Sequence, residues 1–315
     1  MINDSFHIAV VIPCFNEEGN IGMLFSRLHE CLRDYSYECI FVDDGSTDGS
    51  LEEIKKLSNS TDQIKYISFS RNFGHQKALL AGIRYTQADA VIMMDADMQQ
   101  PVSVLPILID RWRNGYEVVN TIRTRSAGKG FMKRLTSRLF YSFFDWVTHL
   151  DLKNGSAEFR LIDRHVVSIL QQSKEENLFL RGMICWCGFR QTWVEYEEDL
   201  RFSGKTKYSL SKMLRLSVDG ITSFSIRPLR LAMILSALCA IFALIEIIYV
   251  LYIAFFTNDA VSGWSSLAIL ISILGAINLL LMGFIGEYIG RIFIQGKGRP
   301  AYIIKETNCY KQNDE

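Results

Sequence analysis

The sequence predicts an α/β domain built on a parallel sheet, followed by two membrane-spanning helices. Two observations carry this: strand-length apolar runs alternate with amphipathic segments over the first 120 residues, and two long apolar runs lie between 231 and 285. The strand-length runs fall at 7–13, 37–42, 64–69, 90–94 and 116–120, and helical spacing of apolar residues falls near 18–34, 47–58, 75–86 and 101–113. Such alternation reads as βαβ units around a parallel sheet. A chain of 315 residues that is 49% hydrophobic can bury one sizeable domain and retain apolar sequence in excess.

The excess lies toward the C-terminus. Residues 231–256 and 267–285 are each long enough to cross a hydrocarbon core, which takes about 20 helical residues. Glu246 is the one charge within them and is expected to face a helix partner or an interface, because a carboxylate facing lipid is costly. The connection 257–266 has no Lys or Arg, whereas Arg227 and Arg230 precede the first run and Arg291, Lys297, Arg299 and Lys305 follow the second. Both termini are therefore expected in the cytoplasm. The run Ile8–Ile12 is too short for a signal-peptide core. The resulting division is a cytoplasmic domain over 1–228, a two-helix membrane domain over 229–290 and a cytoplasmic tail over 291–315. Seven cysteines, with Cys185 and Cys187 spaced wrongly for a zinc site, suggest a reducing compartment without disulfides or structural metal.

Net charge is zero, yet charge is unevenly spread. Residues 1–54 hold eleven acids and two bases, 121–140 six bases and no acid, and 201–230 seven bases and one acid. Basic blocks beside membrane spans suit anionic headgroups or bound phosphates. No nucleic-acid-binding module is visible, so nucleic acid is not expected as a partner.

In an open sheet of this type, ligands sit outside the carboxyl ends of the strands. Three polar segments fall there: Pro13-Cys14-Phe15-Asn16-Glu17, Asp43-Asp44-Gly45-Ser46 and Asp95-Ala96-Asp97. If the backbone stays extended past Met94, Asp95 and Asp97 face one side and can share a divalent cation, with Gln99 adding a neutral oxygen. Hard oxygen ligands suit Mg²⁺ or Mn²⁺ and leave positions for phosphate oxygens. The Asp43–Asp48 segment also reads as a turn with Ser46 or Thr47 capping the next helix, leaving Asp44 free to accept hydrogen bonds from a base. Neither G-x-G-x-x-G nor G-x-x-x-x-G-K-[ST] occurs, which removes the main support for dinucleotide oxidoreductases and P-loop NTPases.

The segments VVIPCFNEE, FVDDGSTDGS, SFSRNFGHQKALLAGI, VIMMDADMQQP, EFRLIDR, RFSGKTKYS, DGITSFSIRPLR and GEYIGRIFIQGKGRPAYII, in this order, resemble the family 2 glycosyltransferases that charge polyprenyl phosphates. The resemblance is closest to the bactoprenol (undecaprenyl-phosphate) glucosyltransferase group, related to dolichyl-phosphate mannose synthases, and spans nearly the whole chain. It implies a glycosyltransferase-A (Rossmann-like) fold, a nucleotide-sugar donor, a divalent metal and inversion at the anomeric carbon. By that resemblance Pro13, Phe15, Glu17, Asp44 and the Asp95-Ala96-Asp97 segment hold the nucleotide sugar, and Asp95, Asp97 and Gln99 form the metal and diphosphate site. Arg123, Lys133, Ser137, Arg201 and Lys207 match positions that meet donor or acceptor phosphate, and Asp97 and Glu158 match catalytic positions.

The residues themselves agree with several of these roles. Lys133 and Ser137 lie one turn apart on an expected amphipathic helix over 131–149, and Gly204 lets backbone approach an anion among Arg201, Lys205 and Lys207. Two positions depart from the family: Glu158 stands where Asp is usual, and Gln100 where Asp or His is usual. The longer side chain puts a general-base role for Glu158 in question and leaves it to orient Arg160 or a sugar hydroxyl. The combined expectation is a plasma-membrane, multi-pass enzyme with its catalytic domain in the cytoplasm. It carries a hexose, glucose from UDP-glucose first and N-acetylglucosamine second, to undecaprenyl phosphate, and it forms a homo-oligomer. A processive polysaccharide synthase is disfavoured by the missing Gln-x-x-Arg-Trp motif and by having only two spans. The intact Asp95 and Asp97 weigh against an inactive scaffold, and the small membrane part weighs against a flippase component.

Overall fold

The computed structural model describes residues 6–124, 156–173, 175, 179–197 and 263–309, with scattered helical positions between 229 and 256. The chain divides into two compact units, Met1–Ser217 with Pro300–Glu315, and Val218–Arg299. In the first unit, β1 (His7–Cys14), β2 (Ser36–Asp43), β3 (Ile64–Phe69) and β4 (Ala90–Met93) form the parallel half of a sheet. They alternate with α1 (Glu18–Leu32), α2 (Ser50–Ser58) and α3 (His75–Tyr85), while α4 (Leu105–Arg113) precedes β5 (Val118–Arg123). These elements match the expected runs closely. Pro106 sits in the first turn of α4, where its missing N–H leaves no hydrogen bond broken.

The sheet is mixed rather than wholly parallel, which corrects the expectation. After β5 come β6 (Ser156–Asp163), α5 (Arg164–Gln172), α6 (Leu180–Trp186) and β7 (Gln191–Tyr196), and β8 (Ile304–Thr307) closes the set. Strand order is β7-β5-β6-β4-β1-β2-β3-β8, with β6 antiparallel to both β4 and β5 and β8 antiparallel to β3. Residues 304–307 therefore belong to this sheet, pairing antiparallel with the outer edge of β3.

Both sheet faces are covered, which explains why β1 is almost continuously buried. Ile8, Val10 and Ile12 face α1 and α4 through Leu24, Leu28 and Leu108, while Ala9 and Val11 face α3 and α5 through Leu79, Ile83 and Val167. Gly82 lets α3 lie directly on β1, since a Cβ there would run into the side chain of Val11. β1 and β4 are neighbours although β2 and β3 intervene in sequence, so the crevice between their carboxyl ends is the topological switch point where ligands gather.

In the second unit, α7 (Trp264–Gly296) runs for 33 residues, about 50 Å at 1.5 Å per residue. Leu267, Ile271, Leu279, Leu280 and Ile292 on it are exposed. Among the described residues it is the one helix long and apolar enough to cross a membrane, over Ile273–Gly296. It continues beyond the expected end at 285 through Glu287 and Arg291, which pair one turn apart at 3.0 Å. Of the first expected span, positions such as Ile234, Leu238, Ile241, Ile245 and Ile248 are helical and exposed. Glu246 lies outside the described residues.

Candidate active site

Three loops at the carboxyl ends of β1, β2 and β4 build the crevice. Pro13 is buried at the end of β1 opposite Val42, and the partly exposed Phe15 follows. Asn16 adopts φ 56°, a left-handed conformation that Asn tolerates better than most residues. That turn lets its amide donate to Ser46 Oγ at 3.0 Å while its side-chain oxygen accepts from the Thr47 amide at 2.8 Å. Glu17 accepts from Asn20 Nδ2 at 2.6 Å, and its amide donates to Ser50 Oγ at 2.8 Å. Ser46 and Thr47 thus tie the β1 and β2 loops together rather than capping α2. Asp48 does the local bonding instead, accepting from the amide and hydroxyl of Ser50 at 3.1 and 2.6 Å.

Asp43 and Asp44 are both buried but serve different ends. Asp43 closes its own turn, accepting from the Ser46 amide at 3.0 Å and from Ser68 Oγ at 2.9 Å. Asp44 accepts from the amides of Phe73 and Gly74 at 2.6 and 2.9 Å, so it is anchored to the loop that leads into α3 rather than left free. Burial pushes its carboxyl above the usual range against the pull of those two amides. Gly45, at φ 70°, is required where this loop crosses the next one, because a Cβ would lie 2.5 Å from the backbone carbon of Arg71.

β4 ends at Met93 and Asp95-Ala96-Asp97 runs into a turn, so the extended backbone on which a shared face was conditional does not continue here. The turn includes Met98 at φ 63°, a strained conformation for this residue type. Exposure alternates along it: Asp95, Asp97 and Gln99 are partly exposed, while Ala96, Met98 and Gln100 are buried. Gln100 clamps Asp95 from behind, accepting from its amide at 2.9 Å and donating to its Oδ2 at 2.6 Å. His75 Nε2 meets the other carboxylate oxygen at 2.7 Å. Burial works to protonate Asp95, but the hydrogen bond and charge of His75, followed by the charges of Arg123 and Arg181, hold it below the usual carboxylate range. Asp97 Oδ1 accepts from the Gln99 amide at 3.2 Å.

This donor set fits a hard divalent cation that takes a minority of its ligands from protein. Asp95 is held as an anion, Asp97 and Gln99 are partly exposed, and all three offer oxygen. Among the described residues no group of three or more His, Cys, Asp or Glu side chains is placed to enclose an ion. Held by these three oxygens, an ion here would keep coordination positions for substrate oxygens.

The antiparallel register of β6 against β4 pairs Met93 with Arg160, which brings Glu158 alongside the Asp95 turn. Glu158 Oε1 accepts from Arg181 Nη2 at 2.8 Å, and Arg160 Nη2 lies 3.9 Å from its Oε2. Burial raises the Glu158 pKa, but Arg181, Arg160 and His75 outweigh it and keep the group ionised below its ordinary value. Burial pulls the Arg160 guanidinium down to about 10 against the charge of Glu158. Arg123 reaches the same edge from β5, its Nε donating to Tyr196 Oη at 3.1 Å. His75, Gln100 and Arg181 carry no role in the sequence-based expectation, in which Arg160 enters only as a group for Glu158 to orient. Lys133, Ser137, Arg201, Lys207 and the helix expected over 131–149 lie outside the described residues.

A shallow depression lined by Phe6, Trp112, Asp163 and His165 lies at the opposite ends of the strands. There Trp112 Nε1 and His165 Nδ1 meet Asp163 at 2.7 and 2.6 Å.

Residues 9–170 match the model of Glycosyl transferase family 2. An uncharacterized glycosyltransferase of Bacillus subtilis, YkcC, is 42% identical over 301 residues, covering 95% of this chain and 93% of that protein. A prophage bactoprenol glucosyl transferase homolog of Escherichia coli is 36% identical over 302 residues, with 95% and 99% covered. The bactoprenol glucosyl transferase of Shigella phage SfII is 35% identical over 303 residues, with 96% and 98% covered.

Proposed function

Because this chain belongs to glycosyl transferase family 2, we propose that it transfers a hexose from a nucleotide sugar to the phosphate of a polyprenyl lipid, with UDP-glucose as donor and undecaprenyl phosphate as acceptor. The observation that carries the reading is the meeting of the Asp95–Asp97 turn with His75, Arg123, Arg181 and Glu158 at one crevice. Carboxylates for a metal–diphosphate stand there beside cations for phosphate. The near full-length similarity to bactoprenol glucosyl transferases supports the lipid acceptor and the sugar.

In this reading a phosphate oxygen of the acceptor attacks the anomeric carbon from the face opposite the nucleotide. The bond from that carbon to the donor diphosphate breaks, and UDP departs with the electron pair. The sugar inverts. A phosphate monoester is already ionised near neutral pH, so no strong general base is needed, and positioning dominates. Asp95, Asp97 and Gln99 would hold Mg²⁺ or Mn²⁺. When bound, that ion neutralises charge developing on the leaving diphosphate. Pro13, Phe15, Glu17 and Asp44 frame the nucleoside end of the crevice. Arg123 faces the phosphates, and Lys133, Ser137, Arg201 and Lys207 are proposed to join it. Glu158 is bonded to Arg181, which favours a role in arranging cations over proton abstraction.

We propose that α7 and the apolar run 231–256 attach the protein to the membrane that dissolves a polyprenyl acceptor. Both termini are proposed to face the cytoplasm, with the connection around Gly263 outside. Gly263→Cys should then react with an impermeant maleimide in intact cells, whereas a cysteine added after Glu315 should not; the reverse pattern would overturn this topology. The donor is tested by offering the detergent-solubilised enzyme a panel of nucleotide sugars with undecaprenyl phosphate and Mn²⁺. UDP-glucose should give the highest kcat/KM, and a preference for UDP-N-acetylglucosamine would reassign the sugar while leaving the reaction intact.

A further inference from the structure

The residues that follow α7 reach into the donor side of the crevice through a chain of contacts. β8 pairs with β3 in the register Ile67 with Thr307, Ser68 with Glu306 and Phe69 with Ile304, with an irregularity between Ser68 and Phe69. Beyond the pairing, the Ser70 amide donates to the Ile303 carbonyl at 3.0 Å, and Asn308 Oδ1 accepts from the Tyr66 amide at 2.6 Å. Lys55 and Glu306 add an ion pair at 2.7 Å. Tyr302 stacks on Phe69 with ring centres 5.0 Å apart and planes 15° apart, and Phe69 meets Phe73 edge-on at 5.7 Å. Phe73 and the adjacent Gly74 donate their amides to Asp44, and the next residue, His75, holds Asp95.

Four of these contacts bear on one short loop. Residues 70–74 are pinned at their start by Ile303, packed through Phe69 and Phe73 by Tyr302, and tied at their end to Asp44. Without β8, the edge of β3 from which that loop departs would be open. We propose that the C-terminal segment 302–308 is a positioning element of the donor site, with Tyr302 as its key residue. It sets the 70–75 loop so that Asp44 is presented to the nucleoside and Asp95 to the metal–diphosphate. Tyr302 touches no reacting atom and acts through Phe69 and Phe73.

The proposal rests on the donor reading above, and its test separates the two. Tyr302→Ala and Tyr302→Phe in the full chain are compared by hydrogen exchange at the Phe73 and Gly74 amides and by titration with UDP in the presence of Mn²⁺. Exchange at both amides should rise in Tyr302→Ala by about tenfold, the order of one lost aromatic pair, while Tyr302→Phe keeps wild-type protection. The Kd for UDP should rise by a similar factor in Tyr302→Ala alone, and KM for the donor should rise more than kcat falls. Wild-type exchange in Tyr302→Ala, or faster exchange with unchanged UDP affinity, would overturn the positioning role. Failure of the wild-type protein to bind UDP would instead overturn the donor assignment, with the exchange result still deciding whether Tyr302 sets the loop.

Discussion

Asp97→Ala should reduce sugar transfer by about three orders of magnitude or more, since loss of a metal carboxylate costs several kcal/mol where the leaving diphosphate develops charge. Asp97 is partly exposed and sits in a turn beyond the end of β4, so thermal stability should change little. This combination separates a chemical role from a folding role. Excess EDTA should reproduce the loss in the wild-type protein, and added Mn²⁺ should reverse it. Full turnover by Asp97→Ala, measured as kcat/KM with saturating acceptor, would remove the metal assignment from this turn.

Glu158→Ala should destabilise the protein by about 3–5 kcal/mol, the usual consequence of deleting one member of a buried ion pair. Its carboxylate lies between Arg181 and the buried Arg160, and the substitution leaves both cations facing one another without it. Glu158→Gln should recover part of the packing but not the charge. The pH dependence has a definite sign. Burial acts to raise the Glu158 pKa, yet Arg181, Arg160 and His75 hold it below its ordinary value of 4.5. A depressed carboxylate contributes stability that is fully present above the unfolded value and is lost as pH falls through the folded one. The gap in unfolding temperature between wild type and Glu158→Ala should therefore be constant near neutrality and shrink once the pH drops below about 4.5. A gap that widens on acidification would show that Glu158 is held neutral, and so available as an acid rather than as an organiser of cations.

The sequence makes the first half of the sheet legible because each strand there is apolar, parallel and separated from the next by an amphipathic helix. β6 escapes the same reading. Its segment Ser156–Asp163 carries Glu158 and Arg160 among apolar residues, and their charge hides a strand that is buried by pairing with both β4 and β5. β8 is four residues long, alternates in exposure, and finds a partner about 240 residues earlier, a distance at which local pattern says nothing. In the site, the carboxylates were visible as residue types at strand ends. Their supports were not: Gln100 stands out in sequence only as a departure from the family, and His75 only as the first residue of α3. Neither position reveals that both converge on Asp95. The extended backbone expected at Asp95–Asp97 gives way to a turn because the paired region of β4 stops at Met93, beyond which Gln100 captures the Asp95 amide.

The reaction proposed for this crevice joins a sugar to a lipid phosphate. Purified protein in detergent, supplied with UDP-glucose labelled in the sugar, Mn²⁺ and undecaprenyl phosphate, should move label into an organic-extractable product. That product should require the acceptor phosphate and disappear with Asp97→Ala. Label that stays water-soluble as free glucose, or that enters lipid equally well when undecaprenol replaces its phosphate, would contradict the account.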